Sequence, residues 1–303
     1  MIRYSTSTAL ALLLAFALLP AKPAHAQPPD SGAAQQPPAA PADPAAQAPA
    51  SSDDDDAKLR PAEPDFETIN LPTTLPLPAH AMTFHLSHRF NEDLANDSFG
   101  TQLSNLFGLD NGANIGLEFR YGVMKHLEAI VLRTSLGKTF QFEAKYDGWH
   151  QTAKMPVAIS GIVSIEGENN FHNTDGGAQA NFAPALGVVV SRTIGDRLAF
   201  YATPMWVHNT GTGSSETLDT GFIGIGGRAR LHGGTYVVAE VSPRIGGFAI
   251  GDAQYGFALE HRVGAHVFSL TFTNGPGTTF RQIAHGGVPD HLNLGFNLTR
   301  KFY

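Results

Sequence analysis

Residues 82–90 read Met82-Thr83-Phe84-His85-Leu86-Ser87-His88-Arg89-Phe90. On an extended chain Met82, Phe84, Leu86 and Phe90 share one face, and Thr83, His85, Ser87 and Arg89 share the other. The form recurs at Ala113–Tyr121, where Ile115, Leu117, Phe119 and Tyr121 alternate with Asn114, Gly116, Glu118 and Arg120. It recurs again at Thr139–Gly148, with Phe140, Phe142 and Tyr146 against Gln141, Glu143, Lys145 and Asp147. Nine further segments extend the series: His126–Thr134, Met155–Glu166, Phe182–Thr193, Arg197–His208, Thr220–Leu231, Thr235–Arg244, Gln254–Arg262, Ala265–Asn274 and His291–Phe302. Twelve strands, each with one polar and one apolar face, are predicted.

The connections are of two kinds. Gly122–Lys125, Ile194–Asp196, His232–Gly234 and Val263–Gly264 are tight, and Trp149–Lys154 is the longest of that set. Those that alternate with them are long: Asn91–Gly112, Gly167–Asn181, Asn209–Asp219, Ile245–Asp252 and Gly275–Asp290, with Ser135–Lys138 as the exception. Short turns at one end and long loops at the other mark membrane barrels, and Greek-key sandwiches have no reason for that asymmetry. The predicted fold is all-β: a closed, antiparallel, up-and-down transmembrane β-barrel of about 12 strands. Hydrocarbon leaves no backbone group unpaired, so the first and last strands must meet.

Composition agrees. The 303 residues are 42% hydrophobic but only 16% charged, against about 25% charged in soluble domains. The absence of Cys excludes disulfides, thiolate zinc sites and Cys-linked lipid. A net charge of -7 argues against nucleic acid as a partner. No cofactor is expected. Charge on the apolar faces (Arg133, Arg192, His261 and Arg300) stays near strand ends, where lipid tolerates it. Phe90, Tyr121, Trp149, Trp206, Tyr255 and Phe302 suit interfacial girdles.

Ahead of the barrel, residues 1–26 read as a secretory signal: Arg3, the apolar run Ala9–Leu19, and a cleavage site at Ala24-His25-Ala26. Residues 27–64 hold nine of the 20 prolines and acidic residues over basic by 7 to 2. Such a stretch reads as a disordered periplasmic tail, leaving 65–303 as the barrel. An even strand count puts both termini in the periplasm.

The last strand, His291 to Tyr303, carries Leu292, Leu294, Phe296, Leu298 and Phe302 on one face and stops at an aromatic residue. It resembles the carboxy-terminal strand of bacterial outer-membrane proteins, although Arg300 interrupts the apolar face. The His88-Arg89-Phe90 strand end, the Asn105–Asp110 loop and the Gly137-Lys138-Thr139-Phe140 hairpin resemble an uncharacterised β-barrel family of Gram-negative bacteria. The resemblance implies an outer-membrane barrel with lipid around it. It implies the barrel-assembly machinery as a partner reading the end at Phe302-Tyr303, and it carries no activity.

Candidate chemistry is sparse. His85 and Ser87 resemble the His/Ser spacing of barrel-embedded lipid hydrolases, but they face the lumen and lack a third partner. His285, Asp290 and His291 match no ligand motif. Gly224–Gly227 lies within a strand, where a phosphate loop has no helix to follow it. No enzyme is expected: the barrel reads as either a narrow channel for small solutes or a structural surface scaffold, with a membrane-embedded lipid hydrolase and a soluble secreted β-protein as the alternatives. The informative set is the lumen charge cluster: Glu118, Arg120, Glu128, Glu143, Lys145, Arg228, Arg230, Glu240, Glu260 and Arg262. Two readings stand, a salt-bridged filling or a constriction selecting small solutes. Arg228, Glu240 and Glu260 are expected to pair across neighbouring strands. Phe99, Leu103, Leu106 and Phe107 have helical spacing, for a cap or plug in the first long loop or a packing cluster within it.

Overall fold

The computed structural model describes residues 62–172, 182–211, 218–247 and 251–303. The signal and the tail up to residue 61 lie outside these. The wall begins with β1 (Met82–Phe90), β2 (Ala113–Met124), β3 (Leu127–Thr134) and β4 (Thr139–Trp149). It continues with β5 (Ala158–Gly167), β6 (Phe182–Ile194), β7 (Leu198–Val207) and β8 (Thr220–His232). Next is β9 (Thr235–Ser242), which Pro243, lacking an N–H, interrupts; Arg244–Gly246 carries its pairing with β8 onward. The last are β10 (Gln254–Val263), β11 (His266–Thr273) and β12 (Asn293–Phe302).

Each strand pairs antiparallel with its sequence neighbours, and β1 meets β12 from Met82 opposite Phe302 to Arg89 opposite Gly295. The sheet is a closed twelve-strand barrel, as expected from the alternation. Its faces are inverted relative to a soluble protein. Arg89 is 0% exposed, whereas Phe119, Leu186 and Phe268 on outer faces are 50%, 57% and 49% exposed. That many large apolar side chains in solvent would be untenable for a soluble monomer, and they form the lipid band of a barrel. No helix among the described residues is long and apolar enough to cross a membrane, so the strands make the crossing.

Two expectations need correction. Phe90 is not part of an exposed girdle: it is buried, packed against the rings of His88 and Phe296. The interior is also not polar all round. Ile162, Ala183, Ala185, Val189, Met205, Val207 and Phe222 give β5 to β8 an apolar inner arc. Two inserted elements account for that arc.

Candidate functional site: a hairpin held in the lumen

Residues 68–78, Thr-Ile-Asn-Leu-Pro-Thr-Thr-Leu-Pro-Leu-Pro, alternate like a strand. Three prolines in that stretch remove the N–H groups that a wall position requires. The segment instead turns back on itself. Thr68 N–H donates to Leu71 O at 2.9 Å, Thr73 N–H donates to Phe66 O at 2.8 Å, and Glu67 bridges antiparallel to Pro72. Ala62 packs on Ala199 and Tyr201 near the short-turn end of β7. The chain returns to that same end, where Leu77 N–H donates to Glu128 Oε1 at 2.8 Å. Ala62–Pro64 therefore belong with the lumen, not with the tail.

The tip of the hairpin points its N–H groups at one carboxylate. Glu240 accepts from the main chain of Ile69 (3.0 Å), Asn70 (3.1 Å) and Leu71 (3.2 Å). It also accepts from Thr68 Oγ1 at 2.6 Å and Asn70 Nδ2 at 2.9 Å. Charge-assisted bonds of this kind are the stronger class. The wall's cations take the hairpin's acceptors. Arg228 donates to Glu67 O at 2.7 Å, Lys145 to Leu75 O at 2.8 Å, and Lys301 to Pro64 O. Arg89 donates to Asn70 Oδ1 at 3.0 Å, Asn297 to Ile69 O at 2.8 Å, and Arg120 lies 3.6 Å from Glu67.

Eight of the ten predicted lumen charges are buried inside: Glu118, Arg120, Glu128, Glu143, Lys145, Arg228, Glu240 and Glu260. Arg120 joins Glu128 (3.0 Å) and Glu118 (3.1 Å), and Lys145 joins Glu128 at 3.2 Å. Arg230 and Arg262 sit at the short-turn rim, bonded to Asp196 with Gly233 O and to Gly264 O respectively. Of the expected trio, Arg228 does meet Glu260 at 3.0 Å. Glu240 does not join them, because the hairpin tip occupies its carboxylate.

A second insert enters from the long-loop end. The last loop carries a short helix, α2 (Phe280–His285), while α1 (Phe99–Ser104) lies in the first loop. Thr279 and Gln282 form a reciprocal capping box on α2. Glu166 accepts from Thr279 Oγ1 at 3.1 Å and Arg281 N–H at 3.0 Å, and Gln141 accepts Phe280 N–H at 3.0 Å. Phe280, Ile283 and Ala284 meet Leu71 of the hairpin on the apolar arc. The wall makes room for the hairpin with small residues: a Cβ on Gly224 would lie 2.7 Å from Leu71, and one on Gly226 3.3 Å from Thr68. A cavity of about 10 Å³, room for one water, remains between Glu67, Asn70, His85, Glu118 and Thr278.

The helix predicted in the first loop forms, with Ser98 capping α1, but it does not plug the barrel. Phe99 and Leu103 are exposed, with Phe99 edge-on to Phe107. His85 bonds Thr299 at 2.9 Å inside the lumen, so His85 and Ser87 do not meet lipid. His285, Asp290 and His291 do not converge. His285 bonds Thr210 O, and His291 lies 3.3 Å from Asp93, tying the last loop to the first. No three-residue metal cluster occurs among the described residues. Burial alone would raise the Asp93 pKa, but N–H donors from Leu292 and Ala95, with Asn96 and His291, hold it below the usual range.

Sequence reasoning missed the hairpin, Glu166 and α2. The signals were present: alternation interrupted by prolines at 72, 76 and 78, and Thr279-x-x-Gln282 before an apolar turn.

A closed sheet with a lipid-facing outer surface and charged groups clamped inside defines a membrane β-barrel protein. The chain belongs to the family described as membrane bound beta barrel domain (DUF5777), whose model matches residues 65–302. That description agrees with the lipid-facing outer surface of the sheet. Comparison with curated proteins gives no match. Among solved structures, it is similar to the COG4313 outer membrane channel from Pseudomonas putida F1, at 14% identity and TM-score 0.47, covering 75% of this chain and 97% of that one. The Acinetobacter baumannii outer membrane protein Omp33 aligns at 8% identity and TM-score 0.39, covering 74% and 98%. A mutant Rh. blastica porin aligns at 14% and 0.34, covering 66% of this chain and 58% of the porin.

Proposed function

We propose that the protein is a non-enzymatic, gated outer-membrane channel for small polar solutes, and that the hairpin of residues 62–77 is its gate. One observation carries this reading: the hairpin enters and leaves by the same end of the barrel. Ala62 lies against Ala199 and Tyr201, and Leu77 against Glu128. It can withdraw without breaking a wall strand pairing or threading the chain. An inert scaffold needs only side chains for filling, and apolar ones would serve it better than buried charge. Withdrawal leaves a wall that is charged on one side and apolar along β5 to β8, with α2 still at the long-loop end, and its mixed Arg120/Glu118 and Arg228/Glu260 pairs favour weak ion selectivity.

The test is conductance in planar bilayers. The intact chain is expected to be nearly silent, and a variant lacking residues 62–77 to conduct. Equal, near-zero conductance from both, with both folded, would assign the lumen to structure.

Export by the signal at 1–26, an acidic periplasmic tail at 27–61, and assembly through the terminal strand ending Phe302-Tyr303 complete the proposal. In it both termini lie in the periplasm and the long loops face outward. A Cys at Asp97, in the first loop, is expected to label in intact cells, while one at Gly233 stays protected. The opposite pattern would invert the orientation.

A further inference from the structure

The wall grips the hairpin by eight main-chain groups as well as by the side chains of Asp65, Glu67, Thr68, Asn70 and Thr74. Four N–H groups are taken by carboxylates: Ile69, Asn70 and Leu71 by Glu240, and Leu77 by Glu128. Four carbonyls are taken by side chains: Pro64 by Lys301, Glu67 by Arg228, Ile69 by Asn297 and Leu75 by Lys145. Main-chain bonds are available from any sequence. Selection comes from pockets for individual side chains, as in other peptide sites. Such a pocket is here: Leu71 lies against Gly224, in one buried apolar cluster with Met205, Phe222 and Phe280. A sugar or a simple ion presents no such set of main-chain donors and acceptors.

We infer that the lumen is a binding site for turn-forming oligopeptides, with a preference for one Leu-sized apolar side chain at the turn, and that the hairpin is a tethered surrogate for that cargo. This names the substrate class of the gated channel proposed above and rests on that reading for its transport role. The hairpin occupies the site from the periplasmic end, so cargo and gate compete for Glu240, Arg228 and Lys301.

The test uses the barrel lacking residues 62–77 in detergent, and three fluorescent peptides followed by anisotropy. One has the sequence of residues 62–77. One keeps Thr68, Asn70, Leu71 and the prolines in place and scrambles the remaining residues. One is the first peptide N-methylated at the positions of Ile69, Asn70 and Leu71. The first two are expected to bind within about tenfold of each other. The methylated peptide is expected to bind at least roughly a hundredfold more weakly, at about tenfold per charge-assisted bond lost. Binding of the native sequence alone would make the hairpin a self-specific plug and overturn the inference, as would no binding by any peptide. Conductance of the same barrel is read separately. A silent barrel that binds peptide sinks the gate and keeps the site; a conducting barrel that ignores peptide does the reverse. If the deletion fails to fold, the full chain with Leu71→Glu replaces it, since a carboxylate on the apolar arc expels the hairpin and leaves the wall intact.

Discussion

Glu240→Ala is expected to free the hairpin from the lumen. The carboxylate holds three main-chain N–H groups and two side chains of the tip. Without it those donors stay buried and unpaired, or the hairpin leaves for water. Each unsatisfied donor costs about 1–3 kcal/mol. Because the losses overlap, about 3 kcal/mol is a conservative total, equivalent to roughly a hundredfold rise in the withdrawn population. The chain has no Cys, so a single Thr73→Cys reports cleanly: Thr73 is buried within the hairpin. Its reaction with a water-soluble thiol reagent should accelerate by about that factor in the Glu240→Ala background. Glu240→Gln, which keeps an acceptor oxygen, should lie between. Unchanged labelling rates would mean that the tip is held by packing on the apolar arc rather than by Glu240.

The second large effect is on stability. Arg120→Met is expected to lower the stability of the folded barrel by about 3–5 kcal/mol, the cost of removing one partner from a buried ion pair. Arg120 is the common partner of Glu118 and Glu128 and lies beside Glu67, so Glu118 and Glu67 lose their arginine at once and Glu128 keeps only Lys145. Arg230→Ser is the comparison. Arg230 pairs with the exposed Asp196 at the rim, where an ion pair contributes at most about 1 kcal/mol. The temperature at which the folded form is lost in detergent gels should fall markedly for the first variant and hardly at all for the second. Equal shifts would show that the interior network is not what sustains the barrel.

Arg228 and Arg230 illustrate the boundary between what was legible and what was not. Two residues apart on β8, they share a face, and alternation assigns both to the lumen. Arg228 lies one step deeper than Arg230, which is next to the short-turn rim, so one is buried against Glu260 and the other pairs with the exposed Asp196. Period alone carries no depth at that resolution. The partner of Glu240 was out of reach for a different reason: 169 to 172 residues separate it from the groups it binds.

The sequence by itself determined the strands, their even number, the inward polar face of β1 to β4 and the two-ended asymmetry of the connections. These are local consequences of two-residue periodicity and turn chemistry, and they hold whatever surrounds them. Tertiary structure alone decided what fills the lumen. Residues 62–77 lack the N–H groups for a wall strand but have the right shape for an enclosed hairpin, and α2 is too short to declare itself by periodicity. Their placement depends on an interior that exists only after the sheet has closed. Closure brings Glu240, Glu128, Arg228 and Lys301 around one space from four different strands. No window of sequence contains that space, and so no reading of a window could show what occupies it.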